Sequence, residues 1–482
     1  MRRLLTLGAR GRVGVRGADD TPDTLRERLL AAMDEPGCPL CRLVREQERR
    51  YFFWFFAENY HAPETLGRLV ASHGFCRQHA TGLAARHADR ASAIAVVYEL
   101  VSRKVGVELA AEARRKRPAW PPRTLSRCPA CADRERTERR FLEALAELIR
   151  DGGGRARYRP PHLLCLTHLQ GLEPLLGGAD LRRVVEVHLA WLDQAARADP
   201  DGARRTPDAG SGADGDEGAS DERAALASLV KDVGVVEVAA AHRGLGGDPL
   251  DVERAVSRVL DDDERCPVCA ARTNALLAWE RYCEAHVGDR EPIDELLPTC
   301  DVHVSSLLAH GGQELRAATL RHLAGRVRDT LSRTLAALPG ERAGSWPGML
   351  RRLLSGGGEP GDQRARRTLR RGVSCPVCSE LATTEDRALS LVGTLVRSGP
   401  GAERYGRGHG VCLRHLSAAV SERTDPSDAR RLLEHARSDV ELLTWRLREA
   451  GRLDGWNVRP LPGVPDEAVW RRALYRYVGE PT

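Results

Sequence analysis

Lysine is almost missing from this 482-residue chain, occurring only at Lys104, Lys116 and Lys231, although Lys and Arg together number 74. The formal charge of +6 is therefore carried by arginine, and with abundant Ala and Gly this matches a GC-rich coding bias. The basic excess alone is not read as a nucleic-acid surface. Aromatic residues reach only 5%, so small helical cores would be marginal without a further staple. No run of about 18 apolar residues occurs, which argues against a membrane-spanning helix. Met1 to Asp20 alternates short aliphatics with Gly and Arg instead of forming the apolar stretch of a secretory leader, so a cytoplasmic address is expected. No Walker loop, GxSxG elbow, HExxH helix or GxGxxG turn stands in a fitting context, which favours a scaffold over an enzyme.

What is present is a repeat. Twelve of the thirteen cysteines fall into four copies of CPxC followed by CxxH. The first copy is Cys38-Pro-Leu-Cys41 with Gly74-Phe-Cys76-Arg-Gln-His79, and the second is Cys128-Pro-Ala-Cys131 with Cys165-Leu-Thr-His168. The third is Cys266-Pro-Val-Cys269 with Cys300-Asp-Val-His303, and the fourth is Cys375-Pro-Val-Cys378 with Gly410-Val-Cys412-Leu-Arg-His415. From second to third Cys the copies span 35, 34, 31 and 34 positions. Cys283-Glu-Ala-His286 is also CxxH, but it breaks this register and is set aside as a buried thiol on a helix.

Spaced Cys and His in a long, leaderless chain point to metal or redox chemistry more than to disulfides. Two Cys at CxxC spacing supply two donors from one turn, which the Pro helps to fix. In CxxH the two donors leave one face of a helix start, and the helix N-terminus favours thiolate. Four closed zinc sites are expected, one per copy, each with three Cys and one His. An iron-sulfur cluster is the alternative cofactor, and a thiol-based redox or metal sensor the alternative role.

Aliphatics recur at three- and four-residue steps after every CPxC and CxxH, and nothing reads as a strand. The fold class is therefore all-α, with four tandem Cys/His-stapled helical modules arranged as two pairs. The modules are bounded at 19–120, 121–198, 223–340 and 372–451. An acidic low-complexity linker at 199–222 is expected to be disordered. A Gly/Arg-rich linker covers 341–371, and a terminal segment covers 452–482. Tyr51-Phe-Phe-Trp-Phe-Phe56 reads as a buried helix, and Arg114-Arg-Lys-Arg117 as a solvated helix end.

CPLC, an amphipathic helix and GFCRQH, with the terminal Trp470-Arg-Arg-Ala-Leu-Tyr-Arg-Tyr-Val-Gly479, resemble a family of bacterial helical proteins classed as a domain of unknown function. The likeness is strongest over Cys38 to His79 and weaker in copies two and three, which lack the Gly before the third Cys. It implies a bacterial, cytoplasmic, Cys/His-rich protein and no particular activity. The expected partner is an unidentified protein, with nucleic acid as an alternative and no membrane.

Overall fold

The computed structural model describes residues 21–122, 125–198, 252–287, 295–338, 361–370, 375–453 and 468–480, with positions 36, 152–153, 155, 160–162, 263 and 422–423 left out. Helices and no strand occur among the described residues, as the periodicity predicts. The expected linker at 199–222 lies outside them.

Every copy is built alike. A first helix begins at each CPxC: α2 (Pro39–Trp54), α6 (Pro129–Arg150), α10 (Pro267–His286) and α14 (Pro376–Arg397). A short one begins at each CxxH: α4 (Arg77–Arg86), α7 (Leu166–Leu172), α11 (Asp301–His310) and α16 (Leu413–Ala419). A long one follows: α5 (Ala91–Ala113), α8 (Gly178–Ala198), α12 (Gln313–Ala337) and α17 (Pro426–Leu453). Accessory helices are α1 (Pro22–Met33), α3 (Pro63–Ala71), α9 (Val252–Arg258), α13 (Gly361–Arg370), α15 (Gly399–Arg407) and α18 (Val469–Val478).

The first Cys of each CPxC caps its helix and the Pro is the first helical residue. Proline is at no disadvantage there, because the first amide of a helix has no intrahelical acceptor. The CPxC motif is thus a helix start, with its second Cys in the first turn.

Contacts tie the copies into a closed circuit. The CPxC helices pack as α2 on α6 and α10 on α14, while the long helices pack as α5 on α17 and α8 on α12. The α5 and α17 helices run antiparallel: Arg448 lies 3.2 Å from Glu99, and Arg430 donates to the Arg115 carbonyl at the other end. One hydrophobic core accordingly joins copies one and four, from Phe52, Tyr98 and Val105 to Leu433, Val440 and Leu474. A second joins α1 and copy two to α12 and α13, from Leu29 and Leu145 to Leu331 and Leu369.

Two expectations need correction. Residues 361–370, placed in the Gly/Arg-rich linker, form helix α13, whose Leu369 and Ala365 are fully buried. Its Arg366 and Arg370 pair with Glu173, itself fully buried, so arginines that looked like linker charge clamp α13 to copy two. The aromatic run is not buried all round: Phe52, Phe55 and Phe56 are in the core, but Phe53 is 63% and Trp54 41% exposed. The helix widens to a π turn over Phe55–Asn59, which changes the face that follows. Arg114 to Arg117 are exposed past the end of α5, as expected.

Candidate metal centres

The sixteen sequence-predicted ligands gather into four groups of three Cys and one His, but not the groups expected. The groups are Cys38, Cys41, Cys165 and His168; Cys76, His79, Cys128 and Cys131; Cys266, Cys269, Cys412 and His415; and Cys300, His303, Cys375 and Cys378. Each CPxC is completed by the CxxH of the neighbouring copy, so the one-site-per-copy expectation is wrong. The exchange is reciprocal within copies one and two and within copies three and four.

Helix lengths explain the exchange. From Cys38 the chain runs out through α2 and the π turn to Asn59, then returns through α3, which has only nine residues. The CxxH therefore starts level with the middle of α2, beside Glu48, whose Oε1 is 3.7 Å from His79 Nε2. Glu48 is ten positions after Cys38, about 15 Å along a helix. A copy cannot close on its own CPxC across that gap. The antiparallel neighbour α6 brings Cys128 and Cys131 to the same level instead.

Within each group the donor atoms lie within 4.8 Å of one another. His168 Nδ1 is 3.3 Å from Cys38, 3.4 Å from Cys41 and 3.1 Å from Cys165 Sγ, and Cys41 and Cys165 are 3.7 Å apart. His79 Nδ1 stands 3.2, 3.6 and 3.5 Å from Cys76, Cys128 and Cys131, with 3.3 Å between Cys76 and Cys131. His415 Nδ1 stands 3.4, 3.5 and 3.2 Å from Cys266, Cys269 and Cys412, with 4.0 Å between Cys269 and Cys412. His303 Nδ1 stands 3.2, 3.7 and 3.3 Å from Cys300, Cys375 and Cys378, with 3.6 Å between Cys300 and Cys378. All thirteen cysteines are free thiols.

Each group sits between two helix starts, since the Cys of every CxxH also caps its helix. Two positive dipole ends therefore face each set of thiols, which favours thiolate. The thiols also act on one another. Cys128 is drawn far below the ordinary thiol range by its contacts with Cys131 and Cys76, and the same neighbourhood drives Cys131 up. Cys375 is drawn down to about 2 by Cys300, which is itself pushed up by Cys375. Burial would raise Cys38 and Cys412, but Cys165 with Cys41, and Cys266 with Cys269, outweigh it and pull both down. In each group one thiol is thus drawn down while a neighbour, Cys165, Cys131, Cys266 or Cys300, is pushed up and keeps its proton. A cation would displace those protons on binding.

Sequence reasoning missed a second set of residues. The outer nitrogen of three histidines faces a carboxylate: His79 faces Glu48 at 3.7 Å, His168 faces Glu138 at 3.2 Å, and His415 faces Glu385 at 3.5 Å. All three glutamates fall ten positions after the first Cys of their own copy, a register visible on aligning the copies. Glu385 is held down to about 2, chiefly by His415, and also pairs with Arg272 at 2.6 Å. Such carboxylates fix the ring and raise its basicity as a ligand. Three of the CPxC helices, α2, α6 and α14, thus serve both groups of their pair, with thiols at the start and a carboxylate three turns on.

The loops before CxxH are pinned. Gly74 and Gly410 have φ of 89° and 66°, which a side chain would strain, and the next amide donates to a buried tyrosine: Phe75 to Tyr98 and Val411 to Tyr405, both at 3.2 Å. Arg476 of α18, 1% exposed, donates to the carbonyls of His409 and Val411 just before Cys412. Gly479, at the end of α18, lies so close that a Cβ would stand 2.9 Å from Cys269 Sγ. The terminal segment therefore covers one group.

Cys283 stays out of all four groups, fully buried and pushed up to about 11 by burial, and His286 is half-buried outside them. Comparison with protein-family models, curated proteins and solved structures found no match.

Proposed function

We propose that the protein is a zinc-stapled helical scaffold in which four closed Cys3His sites hold structural zinc and bind neighbouring copies together. The observation that carries this reading is the donor spacing. Tetrahedral zinc with Zn–S of about 2.3 Å and Zn–N of about 2.0–2.1 Å has edges of roughly 3.8 Å between sulfurs and 3.6 Å between sulfur and nitrogen. In each group one sulfur–sulfur contact is 3.3–4.0 Å and the sulfur–nitrogen contacts are 3.1–3.7 Å, with every donor pair within 4.8 Å. An iron-sulfur cluster places several irons between its ligands and would spread them farther, so the spacing favours one ion per group. The soft donor set and the glutamates behind three of the histidines support zinc over harder cations.

A scaffold of this kind works through its outer surface, and a protein partner is the reading kept here. Phe53 and Trp54, edge to face at 5.3 Å and largely exposed, are the apolar surface that supports it. Elemental analysis of anaerobically purified full-length protein, with thiol titration, tests the zinc reading. Four zinc per chain is the expected result. Substantially fewer metal ions with all thiols reduced, or iron and sulfide instead, overturns it.

A further inference from the structure

The four groups are not equivalent. In three of them a glutamate backs the histidine and the imidazole is fully buried, as His79, His168 and His415 are. In the fourth, the position ten residues after Cys266 is Leu276, which packs in one apolar cluster with Cys375 and against Cys300. Among the described residues no carboxylate stands within ion-pair distance of His303, which is 7% exposed. The same group holds the one exposed ligand, Cys378, with Cys300 half-buried. The group of Cys76 and Cys131 also has half-buried thiols, but it keeps its glutamate.

We infer that Cys300, His303, Cys375 and Cys378 form an exchange site, at which zinc passes to and from small thiol or chelating donors while the other three sites keep theirs. This rests on the zinc reading above. Substitution at a closed tetrahedral ion needs an incoming donor to reach the metal as one ligand leaves. The donor's lone pair forms the new bond, the bond to Cys378 Sγ breaks, the freed thiolate takes a proton from solvent, and no electrons change hands. Cys378 is open to that approach, and an imidazole without its carboxylate is a less basic, less firmly oriented ligand. Elsewhere no ligand thiol is exposed, Cys41, Cys76 and Cys131 being half-buried and the rest buried, so an incoming donor has less room to reach the ion. The consequence is a scaffold in which one joint, between copies three and four, responds to available zinc.

The test uses full-length protein carrying four zinc ions, mixed with excess 4-(2-pyridylazo)resorcinol, with absorbance recording release. One equivalent should leave in a fast phase and three slowly. Iodoacetamide added at the end of the fast phase should label Cys300, Cys375 and Cys378 and spare the other nine ligand thiols. Leu276→Glu restores the missing carboxylate and should slow the fast phase by roughly 10- to 100-fold. Glu48→Leu should do the reverse at the second group and add a faster-leaving equivalent, which keeps the test decisive if Leu276→Glu does not fold. Release of all four equivalents in one phase, labelling at another group, or a fast phase that neither variant alters overturns the exchange site and leaves the zinc reading standing. Protein purified without zinc overturns both.

Discussion

Replacing Arg476 with Met should free the C-terminal helix from the third metal group. The guanidinium is 1% exposed and donates to the carbonyls of His409 at 2.6 Å and Val411 at 3.0 Å, while its Nε lies 2.9 Å from Asp439 Oδ2. Methionine fills much the same space but leaves both carbonyls without that donor, at about 1–2 kcal/mol each. Asp439 keeps 24% of its side chain in water, so its lost partner adds only about 1 kcal/mol. The total is about 3–5 kcal/mol of local stability. Because about 1.4 kcal/mol is a factor of ten, amides of Val469–Val478 that exchange by local opening should exchange at least about a hundredfold faster. Hydrogen exchange read by mass spectrometry on the full-length protein measures this directly. Adding Asp439→Leu should recover the carboxylate's share and no more. Acceleration below about fivefold would refute the reasoning, since it would leave the two carbonyl bonds worth almost nothing.

Further predictions concern the groups themselves. Glu138→Gln removes the carboxylate behind His168 and should weaken one of the four sites by roughly 10- to 100-fold, read by competition with a chelator of known affinity. Cys283→Ala should leave metal content unchanged, because its thiol lies outside every group; loss of one metal ion per chain would show that it is a ligand. His409 is buried, and burial followed by the charge of Arg476 pushes its imidazole down to about 4. The unfolded chain, with a value near 6.5, takes the proton first, so this contribution is complete above about pH 6.5 and lost as pH falls through 4, roughly 3 kcal/mol in all. His409→Asn should flatten that part of the stability profile, and denaturation midpoints of the two proteins across this range would coincide in shape if the imidazole played no part.

The helices and ligand identities were legible because both are local. Arginines and glutamates break each aliphatic run at helical spacing, and the run after the fourth CxxH is accordingly the helix Pro426–Leu453. Cys128 and Cys131 announce a ligand pair wherever their partners come from. What spacing could not convey is which pair completes which site. About thirty-four positions between CPxC and CxxH seemed enough for one copy to close on itself, but a stiff helix consumed them and carried the CxxH to its own midpoint. Glu48, Glu138 and Glu385 were hidden for a related reason: on an exposed helix face they look like solvated charge until the neighbouring copy puts a histidine beside them. Arg366 and Arg370 looked the same until buried Glu173 gave them a partner.

The reciprocal sharing of ligands is tested most directly by counting metal ions in two double variants of the full-length protein. Cys41 and His168 belong to one group, and His79 to another. Cys41→Ser with His168→Ala should cost a single zinc and leave three per chain, whereas Cys41→Ser with His79→Ala should cost two and leave two. The opposite pattern, three for the pair Cys41 and His79 and two for the pair Cys41 and His168, would mean that each copy closes its own site and that the exchange between copies is wrong.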